Sequence, residues 1–139
     1  MPAPSFTLTD STGAVVSLAK LKGRVVQLDF WATWCTSCKV EIPWFMEFQT
    51  KYGPKGLSTI GVAMDVEEWK IVRPYVAKHP FNYPIVIGND ELARKYDVPG
   101  LPVTVLIDRA GRIAESHVGL VDKAAWEKRI QALLQEPAR

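Results

Sequence analysis

The chain has 139 residues, a net charge of +2 at neutral pH, 47% hydrophobic and 23% charged residues, which suits one domain over 1–139 with a core that needs no disulfide staples. The basic residues form no stripe and no apolar run nears the roughly 18 residues of a membrane span, so neither nucleic-acid binding nor membrane contact by this segment is expected. Two cysteines cannot build a disulfide scaffold; they make one redox pair or half of a metal site.

Met1 to Ser5 lack a charged stretch followed by an apolar one, so no export signal is expected there. Phe6-Thr7-Leu8 alternates as a short strand, Asp10 to Gly13 is turn chemistry, and Val15 to Leu18 returns as a hairpin arm. Arg24 to Phe30 reads as a central strand buried on both faces. Thr36 to about Tyr52 is helical, with Val40, Trp44, Phe48 and Tyr52 expected on the inward face and a kink at Pro43. Leu57 to Met64 is the next strand. A second helix is expected from Asp65 to about His79, its acids set against the N-terminal dipole.

Tyr83 to Ile87 is a short strand, and Gly88-Asn89-Asp90 opens a helix through Tyr96. A rigid Val98 to Pro102 loop leads into the strand Val103 to Ile107, and Asp108 to Gly111 turns into Arg112 to Val118. Asp122 caps the last helix, with Ala125, Trp126, Ile130, Leu133 and Leu134 expected inward. The order is a β-hairpin followed by βαβαβαββα, an α/β fold whose mixed sheet is covered by helices.

The two cysteines, Cys35 and Cys38, sit where the apolar strand meets the helix. A helix N-terminus carries about half a positive charge and unpaired N–H donors, which favour a thiolate, the form that attacks disulfides. Cys35 is expected to be the attacking thiol and Cys38, one turn in, the buried resolving thiol. Asp29 on the strand and Glu41 one turn after Cys38 are the candidate proton acceptors. From the residues alone Pro102 reads as an ordinary loop proline.

The stretch Asp29-Phe30-Trp31-Ala32-x-Trp34-Cys35-x-x-Cys38-Lys39, with Pro43 and the Pro102 loop, resembles the thioredoxin superfamily. Ala3-Pro4-x-Phe6-x-Leu8, Ser17-Leu18-x-x-Leu21-Lys22-Gly23, Glu41-Ile42-Pro43, Tyr83-Pro84 and Leu101-Pro102-x-Thr104-x-Leu106-Ile107-Asp108 extend that likeness to its TlpA/ResA-like extracytoplasmic branch. The resemblance implies a thioredoxin fold with a four-stranded central mixed sheet, an N-terminal β-hairpin and an αβ insertion between Asp65 and Ile87. It implies a cis bond at Pro102, backbone pairing of Leu101 with an extended partner segment, and an apolar wall at Trp34. It also implies a thiol–disulfide oxidoreductase with no cofactor beyond its own cysteines, acting on protein dithiols or disulfides and served by an upstream redox donor. The setting implied is extracytoplasmic, after loss of a signal or anchor, in cytochrome c maturation or thiol maintenance. Thr36-Ser37 departs from the Gly-Pro of thioredoxin, so the resemblance does not fix the redox poise.

Three rival readings compete. A zinc site from Cys35, Cys38, His79 and His117 lacks a second closely spaced ligand pair, since the histidines stand 38 positions apart and read as surface residues. Copper(I) delivery through the two thiols makes the same pair a carrier. A thiol peroxidase would place threonine three residues before its reactive cysteine, where this chain has Ala32. The aromatic residues Phe30, Trp31, Trp44, Phe45 and Phe48 read as core, with Trp34 the exception beside the thiols.

Overall fold

The computed structural model describes residues 1–137; Ala138 and Arg139, included in the expected domain limits, lie outside the described residues. Its elements are β1 (Thr7–Thr9), β2 (Val15–Ser17), β3 (Val25–Trp31), α1 (Thr36–Tyr52), β4 (Leu57–Ala63), α2 (Trp69–Lys78), β5 (Ile85–Ile87), α3 (Asp90–Lys95), β6 (Val103–Ile107), β7 (Ile113–Val118) and α4 (Lys123–Gln135). The main sheet has the order β5-β4-β3-β6-β7, and β1 with β2 forms a separate two-stranded sheet. Strands β3, β4 and β5 run parallel, while β6 is antiparallel to β3 and β7 to β6. The sheet therefore has five strands where the family likeness implies four. The fifth, β5, comes from the insertion and lies at the edge beside β4.

Every residue of β3 is buried, because β4 and β6 flank it and helices cover it. Val26, Leu28 and Phe30 enter one core with Phe6, Val103 and Tyr96. Val25 and Trp31 enter the other, against Phe45 and Phe48 of α1 and Ile130 of α4. Gln27 and Asp29 alternate with these on the second face, so two polar side chains point into an apolar layer. Gln27 is satisfied there: it accepts from Trp126 Nε1 at 2.7 Å and donates to Thr59 Oγ1 at 3.2 Å.

The inward stripe of α1 is Cys38, Glu41, Ile42, Phe45, Phe48 and Tyr52. The expected Val40 is 45% exposed and Trp44 only half-buried. Steps of four residues turn about 40° too far for a 3.6-residue helix, so three such steps leave the face. The helix continues across Pro43. Further along, Gln49 turns toward the stretch of β4 that β5 does not reach. Its Oε1 accepts from Thr59 N at 2.8 Å and its Nε2 donates to Leu57 O at 3.0 Å.

Helix α2 starts at Trp69 rather than Asp65, and no acid lies in its first turn. Asp65 is instead drawn to the end of β3, and Glu68 takes a φ of +53° that no helix contains. In α4, Asp122 accepts from Ala125 N at 3.0 Å, and Trp126, Ile130 and Leu133 are buried. Ala125, expected inward, is exposed because the cap geometry turns it outward from the first turn.

Gly61 marks a tight approach within the sheet. A Cβ there would stand 2.5 Å from Ile85 Cδ1, 3.1 Å from Trp31 Nε1 and 3.3 Å from Tyr83 Cε1. Gly61→Val is expected to destabilise the protein by about 1–3 kcal/mol, the usual range for overpacking a buried site. Urea unfolding measures this, and an unchanged midpoint would show that β5 yields freely.

Candidate active site

Cys35 is the N-cap of α1, and its Sγ accepts a hydrogen bond from Cys38 N at 3.2 Å. The two cysteines are joined by a disulfide, with Cα atoms 5.3 Å apart. Cys35 keeps 6% exposure and Cys38 none, so only the first sulfur is open to attack. Thr36 and Ser37 are exposed, and among the described residues neither hydroxyl bonds a sulfur.

The loop from β3 into α1 is held from below. Asp65 accepts from Thr33 Oγ1 at 2.6 Å and from Thr33 N at 3.1 and 3.2 Å through its two oxygens. This clamp, absent from the sequence reading, sets the backbone on which Trp34 and Cys35 stand. Its only signal was an acid directly after a parallel strand adjoining β3. Trp34 is 68% exposed beside Cys35, whereas Phe30, Trp31, Phe45 and Phe48 are fully buried.

The antiparallel register pairs Phe30 with Val103, which brings the residues before β6 alongside the end of β3. The Leu101–Pro102 peptide bond there is cis. Pro102 is buried, Leu101 partly so, and Pro102 O accepts from Gly119 N at 2.8 Å.

Two carboxyls lie on the same side of the sheet as Cys38. Asp29 is fully buried and neither oxygen has a hydrogen-bond partner. Burial, and secondarily the charge of Glu41, push its carboxyl well above the ordinary range. Glu41 is also fully buried; its Oε2 accepts from Val121 N at 2.7 Å and its Oε1 has no partner. Burial pushes Glu41 up to about 7, against the opposing pull of the Val121 N–H and of His117. A carboxyl poised near neutrality one turn from a buried sulfur can take a proton and return it. The hydroxyl of Tyr83, also buried and unpartnered, is raised by burial and then by these two acids.

The zinc ligands are not gathered. Among the described residues no group of three or more His, Cys, Asp or Glu is placed to hold a metal ion. His79 stacks on Tyr75 at 4.3 Å, and His117 sets its edge against Trp126 at 6.1 Å. Among the described residues no helix is long and apolar enough to cross a membrane.

A thioredoxin fold with a C-x-x-C disulfide capping its first long helix defines a thiol–disulfide oxidoreductase, an enzyme whose partners are protein thiols and disulfides. The chain belongs to the AhpC/TSA family, which matches residues 1–116. It is similar to the thiol-disulfide oxidoreductase ResA of Bacillus cereus, 35% identical over 133 residues that cover 94% of this chain and 76% of that one. The thioredoxin-like protein YneN of Bacillus subtilis is 34% identical over 92% of this chain and 76% of its own. Among solved structures, a thiol:disulfide interchange protein of the thioredoxin family from Chlorobium tepidum has a TM-score of 0.87 at 30% identity, covering 96% of each chain.

Proposed function

We propose that this enzyme is a single thioredoxin-like domain that reduces protein disulfides outside the cytoplasm, cytochrome c haem-attachment cysteines among them. In this cycle the Cys35 thiolate attacks a partner disulfide, forming a mixed disulfide and releasing the partner's first thiolate. Cys38 then loses its proton to Glu41 or Asp29 and attacks Cys35 Sγ. The Cys35–Cys38 bond closes and the second partner thiolate leaves, so two electrons pass to the partner. An upstream dithiol donor of the same chemistry reopens the bond. Trp34, Leu101 and Pro102 form the surface that receives the partner's extended segment, Leu101 through its backbone.

The observation that carries this reading is the placement of two buried carboxyls on the face that bears the buried sulfur Cys38. The cytochrome c setting is supported by similarity to proteins named ResA, and the direction of electron flow is the part the test decides. The test is the equilibrium reduction potential of the Cys35–Cys38 pair, combined with reduction of an oxidised C-x-x-C-H peptide. A potential well below the roughly −120 mV of a strong oxidant, together with peptide reduction, is expected. A potential near that of the strong oxidant, or an untouched peptide, would overturn the reductant role.

A further inference from the structure

A polar row crosses β3, β6 and β7 of the main sheet. Gly61 of β4 pairs with Asp29 of β3, Asp29 with Thr104 of β6, and Thr104 with His117 of β7. Directly opposed residues of antiparallel strands share a face with Cβ atoms about 5 Å apart, so Asp29, Thr104 and His117 form a line on the face covered by α1 and α4. The row next to it is closed: Thr59 and Gln27 bond each other, and Gln27 takes the Trp126 N–H. The Asp29 row is open. Thr104 is fully buried and its hydroxyl has no partner, as is true of both Asp29 oxygens. A buried polar atom in this state calls for a bound water, an ion or a functional role.

At the far end of the row His117 is only partly buried. Its Nε2 lies 3.0 Å from Leu120 O, so in the neutral ring Nε2–H donates there and Nδ1 is the basic nitrogen. The same turn supplies Val121 N to Glu41, so His117 and Glu41 are held by adjoining residues. Trp126 fixes the ring edge-on. The charged and titratable groups around the imidazole are Glu41 from α1, Asp29 behind Thr104, Glu115 on β7, and Asp122, Lys128 and Arg129 from the α4 side. Glu115 and Arg129 lie 3.7 Å apart as an ion pair.

We propose that Thr104 and His117 are the route by which the proton taken from Cys38 leaves the interior. The proposal rests on Asp29 and Glu41 being the acceptors. As Cys38 Sγ bonds to Cys35 Sγ, its proton moves to a carboxylate oxygen, and the partner thiolate carries away the electron pair. The carboxyl then gives a proton to the His117 ring, from Glu41 or by way of Thr104 Oγ1 from Asp29. Among the described residues no hydrogen bond joins these groups in the oxidised state, so each transfer requires the side chains to turn toward one another. The imidazole passes it to solvent. A hydroxyl can accept and donate in turn, and an imidazole can take a proton at one nitrogen and release one at the other. Reduction of the disulfide runs the same path inward. His117 and Thr104 are positioning residues in this scheme, acting through the carboxyls rather than on the sulfurs.

The test is stopped-flow reaction of the reduced full chain with 5,5′-dithiobis(2-nitrobenzoate). The first release of dye reports attack by Cys35 and the second reports resolution by Cys38. Thr104→Val and His117→Phe are expected to slow the second release about 10- to 100-fold near neutral pH, less than loss of a whole general base. The first release and the equilibrium potential should not change, and imidazole buffer should restore His117→Ala. A merely structural role would shift the potential or the first phase, and either result overturns the route. If Glu41→Gln and Asp29→Asn slow the second phase while Thr104→Val and His117→Phe do not, the exit is wrong and the acceptors stand. If all four leave it unchanged, the acceptor reading fails as well.

Discussion

Cys35→Ser is expected to reduce disulfide exchange at least about a thousandfold, because a serine hydroxyl at the helix N-terminus stays protonated and is a poor nucleophile toward sulfur. Cys38→Ser should behave differently. Cys35 remains as the N-cap with its 6% exposure, so the first attack proceeds and the mixed disulfide accumulates with no resolving sulfur to release it. Insulin reduction measures the first effect, and mass spectrometry of adducts formed with an oxidised peptide measures the second. Retained insulin reduction by Cys35→Ser would exchange the roles of the two sulfurs.

Glu41→Gln is expected to make the oxidised protein more stable at alkaline pH by about 2–3 kcal/mol. The native carboxyl holds its proton until about 7, whereas in the unfolded chain it releases it near 4.5. Between those values the native state binds more protons than the unfolded state, so this group's contribution falls as pH rises and stays low above the upper value. At about 1.4 kcal/mol for each tenfold change in proton affinity, the full deficit is about 3.5 kcal/mol, part of which burial of the glutamine NH2 offsets. Glutamine carries no charge to bury, and its amide oxygen can still accept from Val121 N–H. Urea unfolding at pH 4 and pH 8 should show the two proteins nearly equal at the lower pH and the variant ahead at the higher. A variant that lost stability at pH 8 would show that the native carboxylate is a stabilised anion. Asp29 acts with the same sign, since burial raises it too.

The parts of this molecule legible in the sequence are those governed by local pattern. A run rich in β-branched and aromatic residues marks β3, Gly53-Pro54 and Gly56 close α1, and Asp122 announces α4. The redox pair was legible because only two cysteines exist and both fall at a strand–helix junction. Other features depend on long-range register. Thr104 meets Asp29 across 75 positions and His117 across one strand more, and no periodicity within either segment encodes that. His117 read as a surface residue for this reason. Glu41 was found by its spacing from Cys38, yet its burial was hidden because the apolar residues chosen for α1 followed a four-residue step. Asp65 read as a helix acid because its partner, Thr33, is 32 positions earlier.

The amide of Gln49, bonded to Leu57 and Thr59 as a neighbouring strand would be, anchors α1 to the sheet at the end away from the sulfurs. Three turns, about 16 Å, separate it from Cys38. A helix moored in this way resists sliding when the sulfur–sulfur bond opens, which favours rotation of the two cysteine side chains over movement of the helix. The same rack of N–H groups then faces the sulfur whether it is bonded, free or joined to a client. On a backbone held in this way, client exchange is expected to need no refolding of the carrier.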